Sequence, residues 1–221
     1  MVSSPTRRSI TCALALALAG CGDPPMGSDA GPADDASRDG AIQSARVSVS
    51  VVADPSTLED DTTLERLVIG VLDVRAPNDR GVLAGHVDRA LDLTSGAAEL
   101  TLPDAPPAVY GEVELFLGPG AWGPAMVFEI QEPSRHIVLE LDRRVELEGR
   151  CDMPHELGTS GGLGMTVNVD IALIAHVLRE SELPAPVDGV IHVDATSAPA
   201  VIAEILASFE RLELECADYD L

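Results

Sequence analysis

Ser160 lies in the segment Gly158-Thr159-Ser160-Gly161-Gly162, which matches the G-x-S-x-G pattern of serine nucleophiles. A tight glycine-rich turn exposes the hydroxyl that attacks an acyl group in such enzymes. That turn lies between a strand and a helix, whereas Pro154 interrupts the approach to this segment and a strand pattern follows it. The sequence therefore favours a glycine loop without a catalytic role. A hydrolase that combines Ser160 with one of the histidines is the alternative.

A second group of residues has the types that ligate metals. Cys151, Met153 and His155 alternate, so in a strand they would share one face and offer soft ligands suited to copper. Four weaker groups are two His-Val-Asp segments and two acidic runs, at residues 86–88, 192–194, 59–61 and 218–220. Neither acidic run has the spacing of a calcium loop. The sequence predicts no metal site and no cofactor, with a metal-binding protein as an alternative.

Trp122 is the only tryptophan of the chain, within the glycine- and proline-rich segment 118–124. An indole exposed at a loop tip would stack on a sugar ring or contact a protein partner. An indole folded back onto the domain would instead cover the end of the β-structure. Both positions are open, and Trp122 is the residue for which the sequence suggests a ligand contact.

The first twenty residues have the pattern of a secretory leader. Arg7-Arg8 precedes an apolar run from Ile10 to Ala19, which is shorter than the roughly 20 residues of a membrane-spanning helix. The segment Leu18-Ala19-Gly20-Cys21 resembles the bacterial lipobox, which implies that residues 1–20 are removed and that Cys21 carries the lipid. Gly22, in place of Asp, implies by the same resemblance an outer-membrane destination in the cell envelope. Plain secretion and twin-arginine export both fit this leader.

The two cysteines beyond Cys12 and Cys21 are Cys151 and Cys216. An even pair in an oxidising compartment is expected to form a disulfide. Two buried free thiols are the alternative.

The segment 22–44 contains five Asp, four Gly and three Pro, with almost no large apolar side chain. It is predicted to be a disordered acidic tether with a reach of about 25–30 Å. The whole chain has a formal net charge of −23, and its 14 basic residues are all Arg. This charge argues against nucleic acid as a partner. The expected partners are a lipid bilayer, through the acylated N-terminus, and an unidentified envelope protein or glycan.

Residues 45–221 are predicted to form one mainly β domain, an antiparallel β-sandwich with a C-terminal α/β segment whose two helices pack on it. Turn signals recur every 8–15 residues, which is typical of a sandwich. Segment 64–74 is apolar on both faces in its middle and is predicted to be a central strand. Segments 87–93 and 97–102 predict a strand pair around Thr94-Ser95-Gly96. Further strands are predicted at 47–51, 109–117, 125–130, 137–141, 145–147 and 165–169.

Two helices are predicted after the last of these strands. Asp170 is placed to cap the first, because Ile171, Ile174, Ala175 and Leu178 follow with helical spacing. The second begins at Ser197-Ala198-Pro199. Its apolar face is formed by Val201, Ile202, Ile205, Leu206, Phe209 and Leu212.

Three segments resemble secreted lipoproteins of the myxobacterial type that carry an uncharacterised prealbumin-like β-sandwich. They are LDLTSGAAELTLPDAPPAVYGEVELFL (91–117), VNVDIALIAHVL (167–178) and VIAEILASFE (201–210). The resemblance implies a fold and an envelope location, and it transfers no catalytic residue. The expected function is therefore a non-catalytic binding or structural module at a membrane surface.

Overall fold

The computed structural model describes residues 44–59, 61–209 and 212–219. The predicted leader, Cys21 and the tether up to residue 43 lie outside the described residues. The described part contains two helices, α1 Ile171–Glu180 and α2 Pro199–Phe209. Its strands are β1 Arg46–Val52, β2 Thr63–Asn78, β3 Gly81–Asp92, β4 Ala97–Leu102, β5 Ala108–Leu117, β6 Met126–Gln131, β7 His136–Leu141, β8 Val145–Leu157, β9 Gly162–Asn168, β10 Val190–Val193 and β11 Leu212–Tyr219.

The strands form two sheets, which confirms the predicted mainly β sandwich. The smaller sheet has the order β4-β1-β9-β11, and the larger has the order β10-β7-β6-β2-β5-β8 with β3 paired to β2. A short parallel pairing of β11 with β8 joins the two sheets. Strand β2 is central, as predicted, because β3 covers one of its edges while β6 and β5 share the other.

The core consists almost entirely of aliphatic side chains, since the sequence offers few aromatic ones. Val47, Val49 and Val51 of β1 are fully buried, as their alternation with serine predicted. Tyr110 is also fully buried, and its hydroxyl donates to the carbonyl of Pro106 at 2.9 Å. This hydrogen bond gives the buried hydroxyl the partner that a polar group in the core requires.

The pairing departs from the prediction in two respects. The strands on either side of Thr94-Ser95-Gly96 exist, but β3 pairs with β2 and β4 pairs with β1, so the turn carries the chain between the sheets. The sheets are also mixed, because β1 with β9, β7 with β10, and β8 with β11 are parallel. Parallel neighbours require long connections, and β10 and β11 indeed follow the two helices. Neither β10 nor β11 was among the predicted strands.

Both helices pack on the sandwich as predicted. Asp170 caps α1, since its Oδ1 accepts the Leu173 N–H at 2.9 Å. Helix α2 ends at Phe209, so Leu212 is not part of its apolar face and begins β11 instead. Within the described residues, neither helix combines the length and apolar character that a membrane crossing requires.

A buried ion-pair network fixes the last turn of α1. Glu132, whose side chain is 7% exposed, accepts from Arg135 Nε at 2.8 Å and from Arg179 Nε at 3.3 Å. Arg179 also donates to the Thr62 hydroxyl at 3.0 Å and pairs with Glu59. The helix is thereby held against the β6–β7 turn and the start of β2.

Candidate functional site

One pocket among the described residues lies where strands β1 and β9 end and helices α1 and α2 meet. Its volume is about 760 Å³, within the range of small-molecule sites. The lining residues come from the ends of these four elements and from the turn after β1. They are Val52, Asp54, Thr57, Asn168, Val169, Asp170, Ala172, Leu173, Ala207, Ser208 and Phe209.

The parallel pairing of β1 with β9 creates this pocket. Val52 and Asn168 are register partners at the carboxyl ends of the two strands, and the Val169 N–H donates to the Val52 carbonyl at 2.8 Å. The chain then turns away in two directions, into a single 3-10 turn at Pro55–Thr57 and into α1. In open α/β sheets, ligands bind in the crevice outside the carboxyl ends of parallel strands, and this pocket has the corresponding position at the end of one parallel pair.

The pocket has an apolar floor and a polar rim. Val169 and Phe209 are buried and form the floor, while Leu173 is 38% exposed at the edge. Asp54 and Asp170 are exposed at the rim, where each caps a helical turn. This division suits a ligand with one apolar and one polar part.

Asp54 is held in its ionised form. Its Oδ1 accepts the Ser56 hydroxyl at 2.7 Å and the Ser56 N–H at 2.9 Å. The hydroxyl and then the backbone hydrogen bond lower the pKa of this carboxyl below its ordinary value. The rim therefore carries a negative charge at neutral pH.

The pocket lies at the opposite end of β1 from the point where the described chain begins. Ala45 and Arg46 adjoin the glycine loop, where the Arg46 N–H donates to the Gly161 carbonyl at 3.3 Å. The seven residues of β1 separate this point from Val52 by about 20 Å, at roughly 3.3 Å per residue.

Trp122 is folded back onto the sheet. Its Nε1 donates to the Gly118 carbonyl at 3.3 Å, and its ring covers the backbone of Gly70 in β2. A Cβ on Gly70 would lie 1.9 Å from Trp122 Nε1. The indole is half-buried and does not line the pocket between β1, β9, α1 and α2. Its role as a ligand contact stays a prediction.

Ser160 is exposed in the loop between β8 and β9, beside a pocket of about 260 Å³ that Asp218 and Glu156 also line. Asp218 Oδ1 lies 3.2 Å from His155 Nδ1. The structure thus brings an Asp–His pair near the serine. Within the described residues, no hydrogen bond joins the Ser160 hydroxyl to a histidine.

The predicted metal-ligand segment is divided among different contacts. Cys151 forms a disulfide, Met153 is 71% exposed, and His155 faces Asp218. Among residues 44–59, 61–209 and 212–219, no three His, Cys, Asp or Glu side chains form a metal-binding group.

In each of the two His-Val-Asp segments, the His and the Asp make different contacts. A bulge divides His86 from Asp88, so that His86 Nδ1 contacts Asp73 of β2 at 2.9 Å. In the second segment, His192 lies on β10, whereas Asp194 accepts backbone N–H groups of the next turn. Neither segment therefore presents its His and Asp as a joint ligand set.

The disulfide between Cys151 and Cys216 is present, as the cysteine count predicted. It joins β8 of the larger sheet to β11 of the smaller one, with a sequence separation of 65 residues. Most pocket residues, from Asn168 to Phe209, lie between the two cysteines. The bridge therefore closes the segment that carries the site.

A carboxylate pair on β5 and β8 was not predicted. Glu112 lies opposite Arg150 and diagonally across from Glu148, and Arg150 Nη2 lies 3.6 Å from Glu112 and 2.7 Å from Glu148. Burial, and then the hydrogen bond with Glu148, raises the pKa of Glu112. The arrangement borders a register shift in which β8 carries the extra residues, between Arg150 and His155. Because it is formed across two strands distant in sequence, no local sequence signal marks it.

Sequence reasoning also missed the pocket, although it identified Asp170 as a helix cap. The remaining signal was Asp54-Pro55, a cap followed by proline two residues after the end of a strand.

No family model, curated protein or solved structure matches this chain.

Proposed function

We propose that this protein is a lipid-anchored envelope protein and a non-catalytic module that binds its ligand in the pocket between β1, β9, α1 and α2. The position of that pocket carries the proposal, since it lies at the end of β1 opposite to Arg46. A domain attached through its N-terminal segment would keep such a pocket accessible.

The disulfide supports a location outside the cytoplasm, because structural disulfides persist in oxidising compartments. The lipobox-like segment ending at Cys21 and the resemblance to bacterial lipoproteins support the anchor, with the outer membrane as its destination. Several acyl chains, at about 0.8 kcal/mol per buried CH₂, would make attachment stable.

The anchor is tested by replacing Cys21 with serine in the full chain and fractionating the cells. We expect the parent protein to incorporate a palmitate analogue and sediment with membranes, and Cys21→Ser to lose both properties. Cys12→Ser is the matched control, because it removes the neighbouring cysteine and leaves the lipobox intact. Membrane association of Cys21→Ser, or an unmodified mass for the parent protein, would refute the anchor.

The pocket is tested by capture of partners from intact envelopes. Leu173→Arg places a charged side chain at the rim of the pocket, and arginine is a good helix former. Val82→Arg changes an apolar residue that is 58% exposed on another part of the domain. We expect one defined partner to be lost only with Leu173→Arg, whereas its loss only with Trp122→Ala would move the site to the indole.

The hydrolase alternative retains one favourable observation, the Asp218–His155 pair beside the loop of Ser160. An aspartate at histidine Nδ1 is the arrangement that orients a catalytic imidazole. A fluorophosphonate probe would label Ser160 of such an enzyme and would not label Ser160→Ala. Labelling with this dependence would replace the proposal of a non-catalytic module.

A further inference from the structure

We infer that the pocket between β1, β9, α1 and α2 binds an amphiphilic organic cation, an ammonium or guanidinium group attached to an apolar body. This inference rests on the proposed function only in taking the pocket as the binding site.

Two carboxylates at the rim favour a cation. Asp54 and Asp170 each use Oδ1 to cap a helical turn. The hydrogen bonds found among the described residues engage Oδ1 of each carboxylate and leave Oδ2 facing solvent at these exposed positions. Two negatively charged hydrogen-bond acceptors therefore remain at the mouth of one pocket, and an ammonium donates charge-assisted hydrogen bonds to such oxygens.

The positive charge that the described residues place at the pocket is smaller than the negative charge of the two carboxylates. None of the described residues that line it is Arg or His. The N-terminus of α1 contributes a partial charge of roughly +0.5, which is smaller than the sum of two carboxylates. Glu210 and Arg211, which follow Phe209 in sequence and lie outside the described residues, carry opposite charges. The charge balance thus disfavours an anionic ligand.

The floor requires an apolar portion in the ligand. Val169 and Phe209 are buried beneath the rim, and Leu173 extends the apolar surface to the edge. A hydrophilic cation would leave this surface in contact with water, whereas an alkyl or aryl group would cover it. Thr57 and Asn168 provide additional polar atoms beside the charged end.

The charge preference is tested with three probes of one chain length: n-octylammonium, n-octanol and n-octanoate. Calorimetric titration of the purified full chain is expected to rank their affinities in that order. The variant Asp54→Asn/Asp170→Asn removes both charges and keeps both caps, because asparagine accepts the same hydrogen bonds. Octylammonium should bind about tenfold more weakly to it, as expected for two partly exposed ion pairs.

Two controls make the result specific. Asp142→Asn removes an exposed charge from the β7–β8 turn and should leave all three affinities unchanged. Octanol should bind the double variant as it binds the parent. Equal affinity for octylammonium and octanol, tighter binding of octanoate, or an unchanged double variant would overturn the cation preference.

The same titrations separate failure of the inference from failure of the proposed function. Loss of all probe binding in Leu173→Arg, together with no preference for the cation, would retain the pocket and reject the ligand class. Binding that persists in Leu173→Arg, or no binding of any probe to the parent protein, would reject the pocket itself.

Discussion

Removal of the disulfide is expected to destabilise the domain strongly. Cys151 and Cys216 link the two sheets at a seam where, among the described residues, Leu212 and Glu213 of β11 pair with β8. In the variant Cys151→Ala/Cys216→Ala, this short parallel ladder and the antiparallel pairing of β11 with β9 are left to hold the last strand.

The size of the effect follows from the length of chain that the bridge closes. For a separation of 65 residues, the chain-entropy relation gives about 14 cal/mol/K, or about 4 kcal/mol at 25 °C. This is a large share of the 5–15 kcal/mol that stabilises a typical domain. With a urea dependence of about 2 kcal/mol/M, the unfolding midpoint should fall by about 2 M.

Urea unfolding, followed by the fluorescence of Trp122, measures this change. The parent protein in a strong reductant should unfold at the same urea concentration as the double alanine variant, and the variant should not respond to reductant. A loss below about 1 kcal/mol would be well under the usual range for a native disulfide. It would show that strand pairing alone holds the seam, and the account of the bridge as its main constraint would be wrong.

Three further predictions concern other parts of the domain. Gly70→Ala should displace Trp122, shift its emission to longer wavelength and lower stability by about 1–3 kcal/mol through overpacking. Arg179→Met should cost about 3 kcal/mol in chemical unfolding, because it leaves the buried Glu132 with one cation instead of two, and Glu132→Gln in that background should restore part of the loss. Asp194 accepts backbone hydrogen bonds that lower its pKa, so its contribution is present above its unfolded pKa and is lost as the pH falls through the folded value. Stability of the parent protein should therefore fall more steeply between about pH 5 and pH 2 than that of Asp194→Asn, and parallel curves would contradict this.

Local patterns in the sequence predicted the elements whose causes are local. The alternation of Val47, Val49 and Val51 with serine marks one buried face, and the apolar middle of segment 64–74, on both faces, marks a central strand. Asp170 marks a helix start because its carboxylate accepts an N–H only three residues later. In each case the deciding interaction lies within a few residues, so the sequence displays it.

The strand pairing could not be predicted in the same way. Segments 87–93 and 97–102 have the pattern of a hairpin, yet Leu93 N–H donates to the Leu67 carbonyl and Thr94 Oγ1 accepts the Leu67 N–H. These hydrogen bonds to β2 hold the end of β3 in the larger sheet. Strand β4 then pairs with β1 of the smaller sheet. The short strand β10 and the parallel partners of β7, β8 and β1 likewise depend on contacts distant in sequence.

The candidate pocket follows from that non-local pairing, which explains why the residue types alone did not indicate it. Asp54 and Asp170 are each an ordinary cap, separated in sequence by more than a hundred residues. Parallel registry between β1 and β9 ends both strands at one edge and brings the two caps to one rim. The ligand preference is therefore a property of strand registry, and a substitution that shifts β9 against β1 should abolish cation binding even if both aspartates are retained.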